Sequence, residues 1–327
     1  MQTAYIYAGT YSSLLENRLL SANQRELLLG TKSVADVSKV LQDTCFAPYL
    51  NAGQSLNSSL DSFVTEQKNQ LAKLAPDKTI NILFLRYDYS NLKIISKGLA
   101  AGETEAEIVE RCSQLGTINP TKLFGLVTSN RLRFTETRLA NDLAAAESQN
   151  GNGSLEDYLD YAYLNHARDI AKESNDEFAN VYTTTVIDLH NLLMRLRSLV
   201  HTESEAIIVS GKFVPGGSMS KAGLESLDTV LARLYRFGGQ SLWQDALTKF
   251  KEAHDFSGID RAADNFLAQT LKRATIKQHS PAPLFAYFYS LLEHTQFVRT
   301  IVAAHNVGLP EAELRALVRN SLHDYAY

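Results

Sequence analysis

The sequence predicts an all-α protein built from three helical repeat units. Apolar residues in most of the chain recur every three or four positions, which is the spacing of one face of a helix. The 327 residues include only 17 Gly and 7 Pro, a composition that suits long helices better than a turn-rich sheet protein. Two stretches one hundred residues apart, around Asn91 and Asn191, also carry the same polar pattern.

Capping residues and acidic first turns mark several helix starts. Ser33 stands three residues before Asp36, an arrangement close to a capping box. Asn119 is a good cap just before a proline at the first helical position. Pro310 and Glu311 open the last helix, where the helix dipole favours a carboxylate. These signals predict separate helices rather than one continuous rod.

The repeats are the most informative feature of the chain. Asp88 and Asn91 align with Asp188 and Asn191, and a glycine-containing turn follows each Asn by about 25 residues. A third copy carries His294 in the Asp position and Phe297 in the Asn position. Each copy is preceded by a helix opening of the type Ser-Leu-acid or Gly-Ile-acid, at 59–61, 154–156 and 258–260.

This spacing predicts a division into four segments that form a closed or curved array. Residues 1–57 form an N-terminal half unit, and 58–150, 151–256 and 257–327 form three helical units, the last of which closes the array. Residues 149–153, Gln-Asn-Gly-Asn-Gly, predict an exposed loop between units. Residues 206–209 are the single candidate strand.

The Asp–Asn pairs admit two interpretations. In a functional one, two equivalent polar patches face a central ligand. In a structural one, Asp88 with Asn91 and Asp188 with Asn191 hold neighbouring helix ends, because a buried polar group without a partner costs about 1–3 kcal/mol. Their replacement by His294 and Phe297 in the third copy favours the structural interpretation.

Composition and motifs exclude several function classes. A net charge of −4 and a pI near 6.1 lack the basic stripe of a nucleic-acid binder. Cys45 and Cys112 are too few for a disulfide framework, and neither a signal peptide nor an apolar run of membrane-spanning length is seen. No phosphate-binding loop, nucleophile elbow or zinc motif occurs. His294 and His305, about 16 Å apart along one helix, are expected to be surface or interface residues, and we expect no catalytic, cofactor-binding or metal-binding residue.

In these motifs the chain resembles the C subunit of bacterial and archaeal V/A-type ATPases, whose eukaryotic relative is called the d subunit. The resemblance spans Tyr5 to Leu317, but the family usually has Asn where Phe297 stands and Gly-Lys where Ala304-His305 stands. The segments that carry it are the aromatic N-terminal helix 5–18, Phe84-Leu85-Arg86-Tyr87-Asp88-Tyr89-Ser90-Asn91-Leu92-Lys93, Gly116-Thr117-Ile118, Ile187-Asp188-Leu189-His190-Asn191-Leu192, Val298-Arg299-Thr300-Ile301-Val302 and Gly308-Leu309-Pro310.

The resemblance implies a funnel of three similar helical units with approximate three-fold pseudo-symmetry. Such a protein lies on the cytoplasmic face of the membrane as one copy in the complex, between the central shaft (the D and F subunits) and the rotor ring of proteolipid subunits. It couples ATP hydrolysis or synthesis to proton or sodium transport, catalyses nothing, and reaches the membrane only through its partners.

Basic residues recur just after the repeated motif and are candidates for partner binding. We hypothesise that some of them line the open face of the funnel, whereas the alternative is local pairing with nearby carboxylates. Two other functions are open: a helical-repeat adaptor that binds a protein on its concave face, and an all-helical enzyme with a deep pocket of perturbed titratable groups. The five candidates are Lys93, Lys97, Arg195, Arg197 and Arg299.

Overall fold

A computed structural model describes residues 2–51, 53–148, 155–200, 213–221, 224–253 and 256–319. All regular secondary structure in these ranges is helical, which confirms the all-α class. The predicted loop at 149–153, the Ser154 helix start and the candidate strand at 206–209 lie outside the described residues.

The helices differ widely in length, from 4 to 25 residues. Two short 3₁₀ turns, Ala47–Tyr49 and Lys78–Ile80, flank the fourth helix. The α-helices are Gln2–Glu16 (α1), Ala22–Leu29 (α2), Val34–Leu41 (α3), Leu56–Leu74 (α4), Asn81–Ala100 (α5), Glu105–Arg111 (α6), Pro120–Thr128 (α7), Leu132–Thr135 (α8), Thr137–Glu147 (α9), Leu155–Ser174 (α10), Glu177–Val200 (α11), Leu227–Leu234 (α12), Gln240–Ala253 (α13), Ser257–Ala274 (α14), Ala282–Asn306 (α15) and Glu311–Arg319 (α16).

The predicted helix starts agree with the observed caps, with one exception. Ser33 caps α3 by accepting the N–H of Asp36, Asn119 caps α7 ahead of Pro120, and α16 begins at Glu311 with a second carboxylate in its first turn. The predicted opening at Ser59 is wrong by about one turn. Helix α4 begins earlier because the Ser55 side chain accepts the N–H of Ser58, which leaves Ser59 buried inside the helix.

The chain divides into two compact units. The first combines Met1–Pro76 with Ala268–Tyr327, and the second is Asp77–Leu267. The first unit therefore joins the two ends of the chain. The predicted division at 57, 150 and 256 stays a prediction.

In the first unit, α15 is the central helix and packs against α1 and α4. The first turns of α15 are buried almost completely, with Leu284, Phe285 and Phe288 in the core. Gly9 of α1 allows a close approach to the start of α15, because a Cβ at this position would lie 3.0 Å from the Gln278 carbonyl oxygen.

In the second unit, α10 lies against α5, α9 and α11. A core cluster of this unit includes Leu92, Ile95, Ile108 and Leu159. The apolar residues that follow the repeated polar pattern, Leu92, Leu192 and Val298, are all fully buried, as their phase on the helix stripe predicts.

Candidate functional site

The side chains of Asp88 and Asn91 on α5 are completely buried and bind one loop, the segment that precedes α7. Asp88 Oδ2 accepts the N–H and the hydroxyl of Thr117, at 2.9 and 2.6 Å, and Oδ1 accepts the N–H of Ile118 at 3.1 Å. Asn91 exchanges two hydrogen bonds with the backbone of Ser113, at 2.8 and 2.9 Å. The pair thus satisfies backbone groups of the loop, among them the buried N–H of Ile118.

The second copy on α11 repeats this arrangement atom for atom. Asp188 Oδ2 accepts the N–H and the hydroxyl of Ser218, at 3.0 and 2.5 Å, and Oδ1 accepts the N–H of Met219 at 3.2 Å. Asn191 exchanges two hydrogen bonds with the backbone of Val214, at 2.8 and 2.9 Å. In both copies each polar atom of the Asp–Asn pair bonds to a loop of the same unit.

A glycine in each loop makes this approach sterically feasible. A Cβ on Gly116 would lie 2.3 Å from Asp88 Oδ1, and a Cβ on Gly217 would lie 2.1 Å from Asp188 Oδ1. Both distances are far below any real contact. The repeated sequence element is therefore Asp and Asn on the helix together with Gly in the loop 28 or 29 residues after the Asp.

In the third copy the side chain in the Asp position also accepts a backbone N–H, but the donor lies in the N-terminal part of the chain. His294 Nδ1 accepts the N–H of Leu20 at 3.1 Å, just before Ser21, the cap of α2. Phe297, in the Asn position, is buried. His294 is half-buried, and burial lowers its pKa to about 4. It bonds to the backbone of its own unit, and the expectation that it is a surface or interface residue stays a prediction.

His305 likewise contacts the N-terminal segment of the first unit. Its Nε2 lies 2.9 Å from the hydroxyl oxygen of Thr31. The described residues contain no group of three or more His, Cys, Asp or Glu side chains placed to hold a metal ion. Neither histidine is thus part of a metal-binding cluster in these ranges.

The five basic candidates are all engaged within their own unit. Lys93 pairs with Asp160 at 2.5 Å and Lys97 pairs with Glu156. Arg195 donates to the backbone carbonyls of Leu224 and Glu225, at 2.7 and 3.2 Å. The pairs of Lys93, Lys97, Arg197 and Arg299 with carboxylates are those of the local-pairing alternative, whereas Arg195 donates to backbone carbonyls. Partner binding by the five residues stays a prediction.

Three of the ion pairs follow an order along the predicted segments. Lys97 on α5 pairs with Glu156 at the start of α10, and Arg197 on α11 pairs with Asp260 near the start of α14, at 2.5 Å. Arg299 on α15 pairs with Asp61 near the start of α4, also at 2.5 Å. In each case a cation on the long helix of one segment meets a carboxylate on the first helix of the next, and the third segment pairs with the first.

A buried polar network in the second unit was not predicted from the sequence. The Tyr89 hydroxyl donates to Asp142 Oδ2 at 2.5 Å, and Arg138 donates to the same oxygen at 3.0 Å. His166 Nδ1 lies 3.1 Å from the Tyr89 oxygen. Because the single Tyr89 proton goes to Asp142, Nδ1 of His166 must carry the proton of that second hydrogen bond.

This network is the feature closest to what the enzyme alternative predicts. Burial and the bond to Asp142 raise the pKa of Tyr89, and burial together with Arg138 lowers the pKa of His166. The acid, the base and the hydroxyl are nevertheless bonded to one another across α5, α9 and α10. Such an arrangement holds three helices in register.

The outer face of α1 carries four exposed large apolar side chains, a feature that the sequence reasoning also missed. Ile6, Tyr7, Tyr11 and Leu14 are between 38% and 67% exposed. The rings of Tyr7 and Tyr11 stack with their centroids 6.2 Å apart. Contiguous exposed apolar residues typically mark an interaction surface. In the described residues no helix has the length and apolar content that spanning a bilayer requires.

Comparison with known proteins identifies the family. A model of the ATP synthase (C/AC39) subunit family matches residues 10–317. The C subunit of the V-type ATP synthase from Deinococcus radiodurans is 25% identical over 244 residues, which cover 68% of this chain and 67% of that protein. The chain therefore belongs to the ATP synthase (C/AC39) subunit family, the family of the V-type ATP synthase C subunit.

Proposed function

We propose that the chain is a non-catalytic rotor subunit of a V-type ATP synthase. It joins the central shaft, the D and F subunits, to the membrane ring of proteolipid subunits on the cytoplasmic face, and so couples ATP hydrolysis or synthesis to ion translocation. The observation that carries the proposal is the family match over residues 10–317. It covers nearly the whole chain and leaves no room for a separate catalytic domain in the matched range.

The geometry of the polar motifs supports a non-catalytic role. Asp88, Asn91, Asp188 and Asn191 are the residues that a symmetric binding site would use, yet all four are buried against loops of their own unit. A catalytic carboxylate needs access to a substrate within hydrogen-bond reach. Side chains that are saturated by backbone donors suit a structural role.

The exposed face of α1 supports a role in protein binding. Aromatic side chains are enriched at the centre of protein interfaces, where they fill pockets at low entropic cost. A rotor joint holds two partners permanently, and permanent interfaces bury roughly 2,000 Å² or more. We propose that Tyr7, Tyr11 and Leu14 contribute to one of these interfaces.

The repeated polar motifs and the ion pair that follows each of them are what the proposal of three similar segments rests on. We propose that the three helical segments form the funnel with approximate three-fold pseudo-symmetry that the repeats predict. Of the five basic candidates, Lys97 has a 60% exposed side chain and would be the most accessible to a partner carboxylate.

Co-purification of the tagged full chain from detergent-solubilised membranes tests the proposal. We expect shaft and ring subunits to be recovered together with the chain. The double variant Tyr7→Ser/Leu14→Ser should fold but lose one set of partners, whereas Val307→Ser, at a 77% exposed position, should keep both. Recovery of a single unrelated protein would favour the adaptor alternative and contradict the proposed function.

A further inference from the structure

The turn between α7 and α9 exposes two arginines and a phenylalanine. Phe134 on α8 is 72% exposed, one of the largest exposures among the apolar side chains of the described residues. Arg131 and Arg133 precede it in sequence and are exposed as well. Burying an aromatic ring stabilises a protein, and most of the Phe134 ring is left unburied on this turn.

The turn is held rigidly by its backbone. Helix α7 ends in a Schellman motif, in which the N–H of Arg131 bonds to the Leu126 carbonyl at 2.9 Å and the N–H of Asn130 bonds to the Val127 carbonyl at 3.0 Å. Asn130 adopts the left-handed conformation (φ 54°) that this motif requires. Leu132 is buried in the core of the second unit and so fixes the turn to that core.

Among the described residues the two charges on this turn have no carboxylate partner, unlike most of the basic candidates described above. Neither Arg131 nor Arg133 forms an ion pair with another described residue, whereas Lys93, Lys97 and Arg197 each pair with a carboxylate. The Arg133 guanidinium lies 4.8 Å from the centroid of the Phe134 ring. The turn therefore presents a fixed surface that combines two positive charges with one aromatic ring.

The chain contains an internal comparison for this surface. Arg236 and Phe237 precede α13 at the same distance at which Arg133 and Phe134 precede α9. The Phe237 ring packs edge-on against Phe266 with the centroids 5.4 Å apart and is only partly exposed. The same dipeptide is thus covered by its own chain in one copy and uncovered in the other.

We propose that Arg131, Arg133 and Phe134 form a docking surface for an acidic segment of a protein partner. The two guanidinium groups would bind carboxylates of that segment, since Arg pairs with carboxylates in a bidentate geometry. An apolar side chain beside those carboxylates would cover the Phe134 ring. The rigid turn lowers the ordering cost of binding. In assigning this partner to the ATP synthase complex, the inference rests on the proposed function.

The number of charges favours a protein over a membrane surface. Recognition of anionic lipid requires clusters of about four to eight basic residues, whereas this turn supplies two. The net charge of −4 also opposes general attraction to anionic lipid or nucleic acid. A segment with two or more carboxylates matches the turn in charge.

Photo-crosslinking in cells tests the inference. The full chain carrying Phe134→p-benzoylphenylalanine is expected to crosslink to another protein, within a peptide that contains at least two Asp or Glu residues. Crosslinks only to this chain, to lipid or to a peptide without acidic residues would overturn the inference, as would the absence of a crosslink. An acidic peptide from a protein outside the ATP synthase would support the docking surface but contradict the proposed function.

Charge reversal separates the electrostatic contribution from proximity. Arg131→Glu/Arg133→Glu should lower the crosslink yield about tenfold or more, because like charges across an interface are strongly disfavoured. The matched control Lys249→Glu/Lys251→Glu changes two exposed residues of α13 by the same charge and should leave the yield unchanged. An equal loss in both variants, or in neither, would overturn the inference.

Discussion

Removal of the Asp88 carboxylate is the most direct perturbation of the repeated motif. The Asp88→Ala variant deletes three hydrogen bonds and leaves the buried N–H of Ile118 and the partly buried N–H of Thr117 without an acceptor. Each unsatisfied buried donor costs about 1–3 kcal/mol. We therefore expect the free energy of unfolding of the second unit to fall by about 3–5 kcal/mol.

Because the two copies match, Asp188→Ala should cost a similar amount. The control is Asp245→Ala, which removes an exposed carboxylate from the middle of α13 and should change stability by less than about 0.5 kcal/mol. Urea unfolding of the full chain measures the free energies, and amide hydrogen exchange at residues 117 and 118 locates the effect. A loss below about 1 kcal/mol in Asp88→Ala, or unchanged protection of both amides, would refute the reasoning.

Three further predictions follow from the site geometry. Gly116→Ala and Gly217→Ala should each destabilise the chain by about 2 kcal/mol or more, as measured by urea unfolding, because the new methyl group would overlap a carboxylate oxygen. Acidification from pH 7 to pH 5 should lower the free energy of unfolding by up to about 2 kcal/mol through His294. The folded pKa of His294, about 4, lies below its unfolded value, so the unfolded state binds the proton first as the pH falls. The variant His294→Gln should reduce this pH dependence. Tyr89→Phe should cost about 1–3 kcal/mol by thermal unfolding, because Asp142 loses its buried donor; an unchanged melting temperature would contradict this.

The helices and the repeated polar pairs could be predicted from the sequence because their signals are local. Capping by Ser33 and Asn119 depends on residues two or three positions apart. The Asp–Asn spacing of three residues is repeated one hundred residues later, and burial of Leu92 and Leu192 follows from the same helix phase.

The hydrogen-bond partners of the repeated polar side chains could not be predicted from local patterns. Asp88 bonds to Thr117 and Ile118, and no local pattern links residues about thirty positions apart. The third copy is harder still, since His294 bonds to Leu20 at the other end of the chain. The only signal in the sequence was the glycine of each loop, whose closeness to the carboxylate appears only in the folded structure.

The buried network and the exposed surfaces were missed for different reasons. Tyr89, Asp142 and His166 lie on three helices, so their meeting depends on tertiary packing. The exposed stripe of α1 has the periodicity of a core face, and Tyr7 and Tyr11 are not distinguishable by pattern from buried aromatic residues. Whether such an apolar stripe is covered depends on the helices that pack around it, and the local pattern does not contain that information.

ATP-driven ion transport compared with ATP hydrolysis tests the central claim most directly. Membranes that contain every other subunit of the complex but lack this chain should hydrolyse ATP through the soluble head and should not build an ion gradient. Adding the purified full chain should restore transport. Loss of hydrolysis in the absence of the chain, or transport without it, would contradict the proposed role of the chain as a passive joint between shaft and ring.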